Sequence, residues 1–242
     1  MKPHNLFVQT VHYKKPENTH NYPHHLPFLQ PSIHFHKPVT IITGENGTGK
    51  STLIETIAAL VGLNMEGGSK NHRFITKESH SSLHQFCSLS RGPYRPNDAY
   101  FYRAESFYNL ISNMDEPDDF TPALSDRLFG RELHSFSRGE ALKELVKNRF
   151  WGTGFYLMDE PETGLSATSQ FELLVALKTL EEDQSQLILA THSPILLMYP
   201  NAQIIELTED GLREVAKEET KLYRDWDMFF KRGDHFIEQL FY

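Results

Sequence analysis

The sequence predicts an α/β domain whose core is a parallel sheet covered by helices, with N-terminal antiparallel strands and a small helical insert. Three observations carry this. The runs "PVTIIT", "GFYLM" and "QLILAT" have the length and apolar content of strands buried on both faces. Between them lie stretches whose apolar residues recur at helical spacing, so that strand and helix alternate. A glycine-rich loop, "TGENGTGKS", joins the first buried run to the first helical one.

Taken in order, Leu6 to Tyr13 and "SIHFH" (Ser32 to His36) read as half-buried strands, and residues 1–37 as the antiparallel part. "PVTIIT" follows as a core strand. Leu53, Ile54, Ile57, Leu60 and Val61 then define a helix that Gly62 ends. Residues 64–138 read as the insert, polar and irregular to about Arg95, where "EGGSKNHR" and "RGPYRP" are loop signals, with "AYFYR" as a strand. "MDEPDDFTPALSDRLFG" reads as an acidic loop entering a short helix. Beyond it come a helix in "GEALKELVKNRF", the strand "GFYLM", the helix "ATSQFELLVALKTLEE" and the strands "QLILAT" and "QIIEL". A hairpin is expected around Asp210-Gly211, and an aromatic-rich helix over the last 25 or so residues. No repeat or low-complexity segment interrupts the 242 residues, enough for one domain with a full core.

A formal charge of -8 argues against a surface that coats nucleic acid; Arg91, Arg95 and Arg103 are the residues from which a local basic patch could form. The single cysteine, Cys87, excludes an internal disulfide framework. The start "MKPHNLFVQT" lacks the apolar run of a secretory signal, and "QLILATHSPILLMYP" is broken by polar residues, so a cytoplasmic chain with no direct membrane insertion is expected. Seven of the 13 histidines precede Lys37. His34 and His36 stand at the strand spacing that could ligate a metal, yet no Cys or Asp lies near to complete a set. The run Asp115, Glu116, Asp118, Asp119 reads as a solvated loop.

The chemistry concentrates in four places. Gly44-Glu45-Asn46-Gly47-Thr48-Gly49-Lys50-Ser51 fills every fixed position of GxxxxGK[ST]. Glycines let backbone N–H groups turn inward around phosphates, Lys50 brings an ammonium to the β and γ oxygens, and the Ser51 hydroxyl can ligate Mg²⁺; Asn46 and Thr52 flank the cradle. "GFYLMDEPETGLS" ends a strand in Asp159, placed to reach Mg²⁺, and Glu160, placed to activate a water. "ATHSP" puts His192 at another strand end, 33 positions after Asp159, where a neutral imidazole can bond a γ-phosphate. Ser137 and Gly139 of "SFSRGEALKEL" stand before a helix and offer a second anion site, or with Glu140 a plain capping box.

Glycine loop, Ser-x-Gly-Glu, Asp-Glu and His in this order resemble the ATP-binding-cassette (ABC) ATPases, a P-loop NTPase superfamily. "DEPETGLS", "ATHSPILL" and "SRGE" look like its soluble RecF/SMC-like branch, the AAA-family ATPases, here as a head without coiled-coil arms. Lys50 and Ser137 are only 87 positions apart, with no sustained heptads between them. The resemblance implies a head-to-tail homodimer that sandwiches two ATP molecules with Mg²⁺. Gly44 to Thr52 would bind nucleotide in one copy and Ser137 and Gly139 would reach it from the other. Glu160, His192 and Lys50 would carry the chemistry.

A separate protein partner is expected, because the 50 residues after His192 are too few for a nuclease domain. The expected function is ATP hydrolysis driving a conformational switch, in DNA maintenance or defence. The alternatives are an ATP-gated regulatory subunit with little turnover, and a transporter's nucleotide-binding subunit. Departures from the pattern are a Q-loop residue that is either Glu105 or Gln85, Ser166 in place of the D-loop aspartate, and a signature glycine replaced by Arg138 or Glu140. Tyr13 and Tyr22 are the candidates to stack adenine.

Overall fold

The computed structural model describes residues 6–17, 21–69, 81–107, 142, 144–147, 150 and 152–241. In chain order its strands are β1 (Val8–Tyr13), β2 (Ser32–His34), β3 (Val39–Gly44), β4 (Gly68–Ser69), β5 (Cys87–Arg91), β6 (Asp98–Arg103), β7 (Gly154–Asp159), β8 (Gln186–Ala190), β9 (Gln203–Thr208) and β10 (Gly211–Glu214). Among the described residues, the helices with both ends in view are α1 (Lys50–Val61), α2 (Ala167–Glu182), α3 (Pro194–Leu197) and α4 (Lys221–Phe241).

The main sheet runs β10-β9-β3-β8-β7-β6-β4, and an antiparallel sheet runs β2-β1-β5. From β9 to β6 every pairing is parallel, and the edges β10 and β4 are antiparallel. Such strands bury both faces, which is why "GFYLMD" of β7 is buried throughout. Period-two alternation divides the core. Ile41, Tyr102, Tyr156, Met158 and Leu189 pack with Leu173 and Leu177 of α2. Ile42, Phe101, Phe155, Leu157 and Ile188 pack with Leu53, Ile54 and Ile57 of α1 and with Val8, Val11 and Ile33 of the antiparallel sheet. Each such burial contributes about 1.5–3 kcal/mol.

Two buried glutamines tie the sheets together. Gln186 Oε1 accepts from the N–H groups of Phe7 and Val8, both at 2.9 Å, and its Nε2 donates to the Val8 carbonyl. Gln203 accepts from the His36 N–H and donates to the His34 carbonyl. Helix α1 ends as expected, with Gly62 at φ 88 returning its N–H to Ala58 and Ala59.

The structure differs from the expectation in the stretch read as irregular. β5 lies within residues 64–95 and completes the antiparallel sheet by pairing with β1; β6, inside the same expected insert, is a strand of the main sheet. The physical reason is long-range pairing: Cys87 and Leu89 pack inward beside Val11 while Ser88 and Ser90 face out. The acidic run 115–119 lies outside the described residues. Leu142, Leu145 and Val146 are helical and buried in the α2-side core.

Candidate functional site

The carboxyl ends of β3, β7 and β8 share one rim of the sheet, and the loops leaving them carry the chemistry. After β3 the chain turns through Gly44, Gly47 and Gly49, at φ 146, 80 and 97, before α1 begins at Lys50. Lys50 is 5% exposed, and its Nζ folds back to donate to the carbonyls of Gly44 at 3.0 Å and Glu45 at 2.8 Å. Burial pushes this ammonium below its ordinary pKa, and the carboxylates of Glu160, Asp159 and Glu162 oppose the shift.

Asp159 closes β7, buried, and accepts a hydrogen bond from Ser51 Oγ at 3.2 Å. Burial raises its pKa to about 6 against the help of Ser51 and Arg103. A poorly compensated carboxylate beside a hydroxyl is an oxygen pair suited to a hard divalent cation. Glu160 follows in the left-handed region at φ 50, its N–H bonded to the Ala190 carbonyl at 2.9 Å, strain of a kind that concentrates at functional sites. Its Oε1 lies 3.9 Å from His192 Nε2. That nitrogen is buried with no hydrogen-bond partner, an arrangement that calls for a ligand or water. Burial, then Lys50, lowers the His192 pKa against the pull of Glu160, so the ring is neutral at physiological pH.

Sequence reasoning passed over Glu162. Its buried carboxylate accepts from the His192 backbone N–H at 2.6 Å and so ties the loop after β8 to the loop after β7. The second glutamate of "DEPET" was the available signal. Ser166 caps α2 by accepting from the Ser169 N–H at 3.1 Å. Ser137, Arg138, Gly139 and Glu140 lie outside the described residues.

Glu105 follows β6 just beyond Arg103, which pairs in register with Asp159, and is therefore on the reactive rim. Gln85 is exposed in a 3₁₀ turn beside β5. Tyr22 places its hydroxyl 3.4 Å from Thr52 Oγ1 at the start of α1, whereas the Tyr13 hydroxyl bonds His24 at 3.1 Å. Arg103 does not join a surface patch, because it pairs with Glu55 at 2.8 Å and its side chain is 19% exposed. His34 bonds Ser32 and Thr10, and His36 faces Glu214 at 3.3 Å. Among the described residues no cluster of three or more His, Cys, Asp or Glu is placed to hold a metal.

A cleft of about 390 Å³ opens between the loop, the β9–β10 hairpin and the start of α4. Among the described residues that line it, Glu45, Glu206, Glu209, Asp210 and Asp225 stand against one cation, Lys221, so a triphosphate belongs on the loop amides rather than there.

Asp159 supplies a pH prediction. Its folded pKa exceeds the ordinary carboxylate value, so its stabilising contribution is full below about pH 4 and is lost as pH rises through about 6. Without nucleotide, Asp159→Asn should therefore stabilise the fold by about 2–3 kcal/mol at pH 8, with the gain shrinking toward pH 4. Urea unfolding of both proteins across that range measures it; a gap independent of pH would show that charge burial is not the cause.

Glycine loop, strand-end carboxylates and sheet order together define a P-loop protein of the ABC/AAA ATPase type. Residues 24–106 match the "AAA domain" family model, and residues 140–198 match that described as "AAA domain, putative AbiEii toxin, Type IV TA system". The petrobactin import ATP-binding protein FpuD of Bacillus anthracis is 26% identical, over 77% of this chain and 75% of that protein. The structure described as "an inward-facing conformation of a putative metal-chelate type ABC transporter" shares the fold at 16% identity and TM-score 0.51, over 91% of this chain and 88% of its own. CbiO1 of Clostridium perfringens, part of the transporter complex CbiONQ, does so at 16% identity and TM-score 0.50, over 98% of this chain and 100% of its own. No helix among the described residues is long and apolar enough to cross a membrane.

Proposed function

We propose that this chain binds MgATP on the loop of residues 44–51 and hydrolyses it between two copies of itself, closing the pair while ATP is bound. The observation that carries the reading is convergence: Lys50, Ser51, Asp159, Glu160 and the unbonded His192 Nε2 meet at one rim. The loop amides and Lys50 hold the β and γ phosphates, Lys50 exchanging its bonds to Gly44 and Glu45 for phosphate oxygens. Ser51 and Asp159 hold Mg²⁺, which when bound neutralises charge on the phosphates. Glu160 orients and deprotonates the attacking water, and His192 bonds the γ-phosphate through Nε2. Glu105 completes the rim beside Asp159, Tyr22 faces the base beside Thr52, and Ser137 with Gly139 grips the nucleotide of the other copy.

The output passes to a protein partner in DNA maintenance or defence; the toxin–antitoxin wording of the second family match supports defence. A second reading, the ATP-binding subunit of an importer, is favoured by the similarity to FpuD.

The test is a titration with fluorescent ATP and Mg²⁺ together with phosphate release. Removing the Lys50 charge deletes charge-assisted hydrogen bonds worth about 1.5–3 kcal/mol each. Lys50→Ala should then bind about a hundredfold more weakly and release no phosphate, while Tyr22→Ala loses about tenfold in affinity. A Lys50→Ala protein that binds and turns over like wild type overturns the proposal. Recovery of a membrane-spanning subunit with the tagged chain from its native cell would favour the importer reading.

A further inference from the structure

Helix α4 carries six of the eleven large apolar side chains exposed among the described residues: Trp226, Met228, Phe229, Phe230, Ile237 and Phe241. Phe230 is 74% exposed and Phe241 79%. Leu222 and Tyr223 pack on the core and fix the first turn, while beyond them the aromatic rings find chiefly one another. Trp226 stacks on Phe230 at 5.3 Å between ring centres and meets Phe229 edge-on at 6.0 Å. Surfaces of this kind mark interaction sites. The backbone kinks at Arg232, and a Cβ added at Gly233 would meet nothing within 4 Å. Packing within the chain therefore does not require the glycine, which stands at the break between the two helical segments of α4.

The charges of α4 say what fits it. Up to Arg232 the helix has four cations, Lys221, Arg224, Lys231 and Arg232, against two carboxylates, Asp225 and Asp227. From Gly233 onward it has two carboxylates, Asp234 and Glu238, and no lysine or arginine. Lys221 pairs with Asp225 and Lys231 with Asp227 within the helix, but Arg232, Asp234 and Glu238 form no ion pair among the described residues. One half is thus positive and the other negative, with the small residue between them. Such a surface is complementary to itself turned end for end. A membrane surface would be better served by a basic polar face, which a helix with equal numbers of opposite charges lacks.

We propose that the aromatic face of α4 is a self-association surface, on which a second copy of this chain lays its own α4 antiparallel about a two-fold axis near Gly233. In that crossing Arg232 of each copy faces Asp234 of the other, the aromatic ridges flank the glycine notch, and no nucleotide is needed.

Light scattering and sedimentation of the full chain, free of nucleotide and with EDTA, test it. The wild type should associate into dimers as concentration rises into the micromolar range. Phe230→Asp should weaken association by at least about thirtyfold, the loss typical of a central aromatic anchor. Phe171→Asp, at an exposed apolar site on α2, should leave it unchanged. Arg232→Glu and Asp234→Arg should each weaken it about threefold, and the double variant R232E/D234R should restore it, because both pairs re-form with reversed sign. Lys50→Ala should associate like wild type, which separates this surface from the ATP reading.

Circular dichroism confirms that each variant is folded; if Phe230→Asp is not, the charge swap decides. A chain that stays monomeric at 100 micromolar overturns the proposal. So does association lost with Phe171→Asp and kept with Phe230→Asp. A monomer that sediments with phosphatidylserine vesicles, and loses this with Phe230→Asp, overturns it in favour of a lipid surface.

Discussion

Phosphate release by Glu160→Gln should fall by about two to four orders of magnitude, the usual contribution of a general base, while ATP affinity stays within a few-fold of wild type. Glutamine keeps the shape of the side chain and can still accept from Thr163 Oγ1, which lies 3.4 Å from Glu160 Oε2. It cannot take the proton of an attacking water. Losing this charge also spares the γ-phosphate a like-signed neighbour, so the ATP-bound state should persist. Light scattering with Mg-ATP should then show an added, nucleotide-dependent association, absent with Mg-ADP and absent in Lys50→Ala. If the variant binds ATP without any such association, and the wild type is equally inert, the chain is a nucleotide-gated binding module rather than an engine.

Gly44→Ala should unfold or nearly unfold the chain, with a loss above about 3 kcal/mol. A Cβ there would stand 2.2 Å from the backbone carbonyl oxygen of Leu207 on β9, at a φ of 146. Backbone strain of about 1–3 kcal/mol and overpacking of about 1–3 kcal/mol add, because the obstructing atom belongs to a strand hydrogen-bonded beside β3 and cannot swing away. Gly47→Ala is the matched comparison. Its Cβ would meet nothing within 4 Å, so only the strain of φ 80 remains, and a loss of about 1–2 kcal/mol is expected. Thermal and urea unfolding of both variants measures the difference. Equal losses would mean that conformation alone, and not the approach of β9, demands glycine at Gly44.

Much of this was legible beforehand for identifiable reasons. Parallel strands buried on both faces are written as largely apolar runs, so β3, β7, β8 and β9 could be read directly even with a few buried polar residues among them. A phosphate cradle needs glycine at fixed spacing, so the loop announced itself, and strand-end residues such as Asp159 and His192 follow from where a strand stops. β5 was hidden because its polar flanks outweigh a short alternation that acquires meaning only against β1. Glu162 was hidden because a buried carboxylate and an exposed one share a single letter.

By itself, the sequence determined the alternation of elements, the loop chemistry and the residue types at the strand ends, all set by local pattern and covalent constraint. The tertiary structure alone decided that Glu162 holds the His192 backbone, that Arg103 is consumed by Glu55, that Tyr22 rather than Tyr13 reaches Thr52, and that α4 turns its aromatic rings outward. Those outcomes depend on distances between residues remote along the chain, and such distances are fixed by packing.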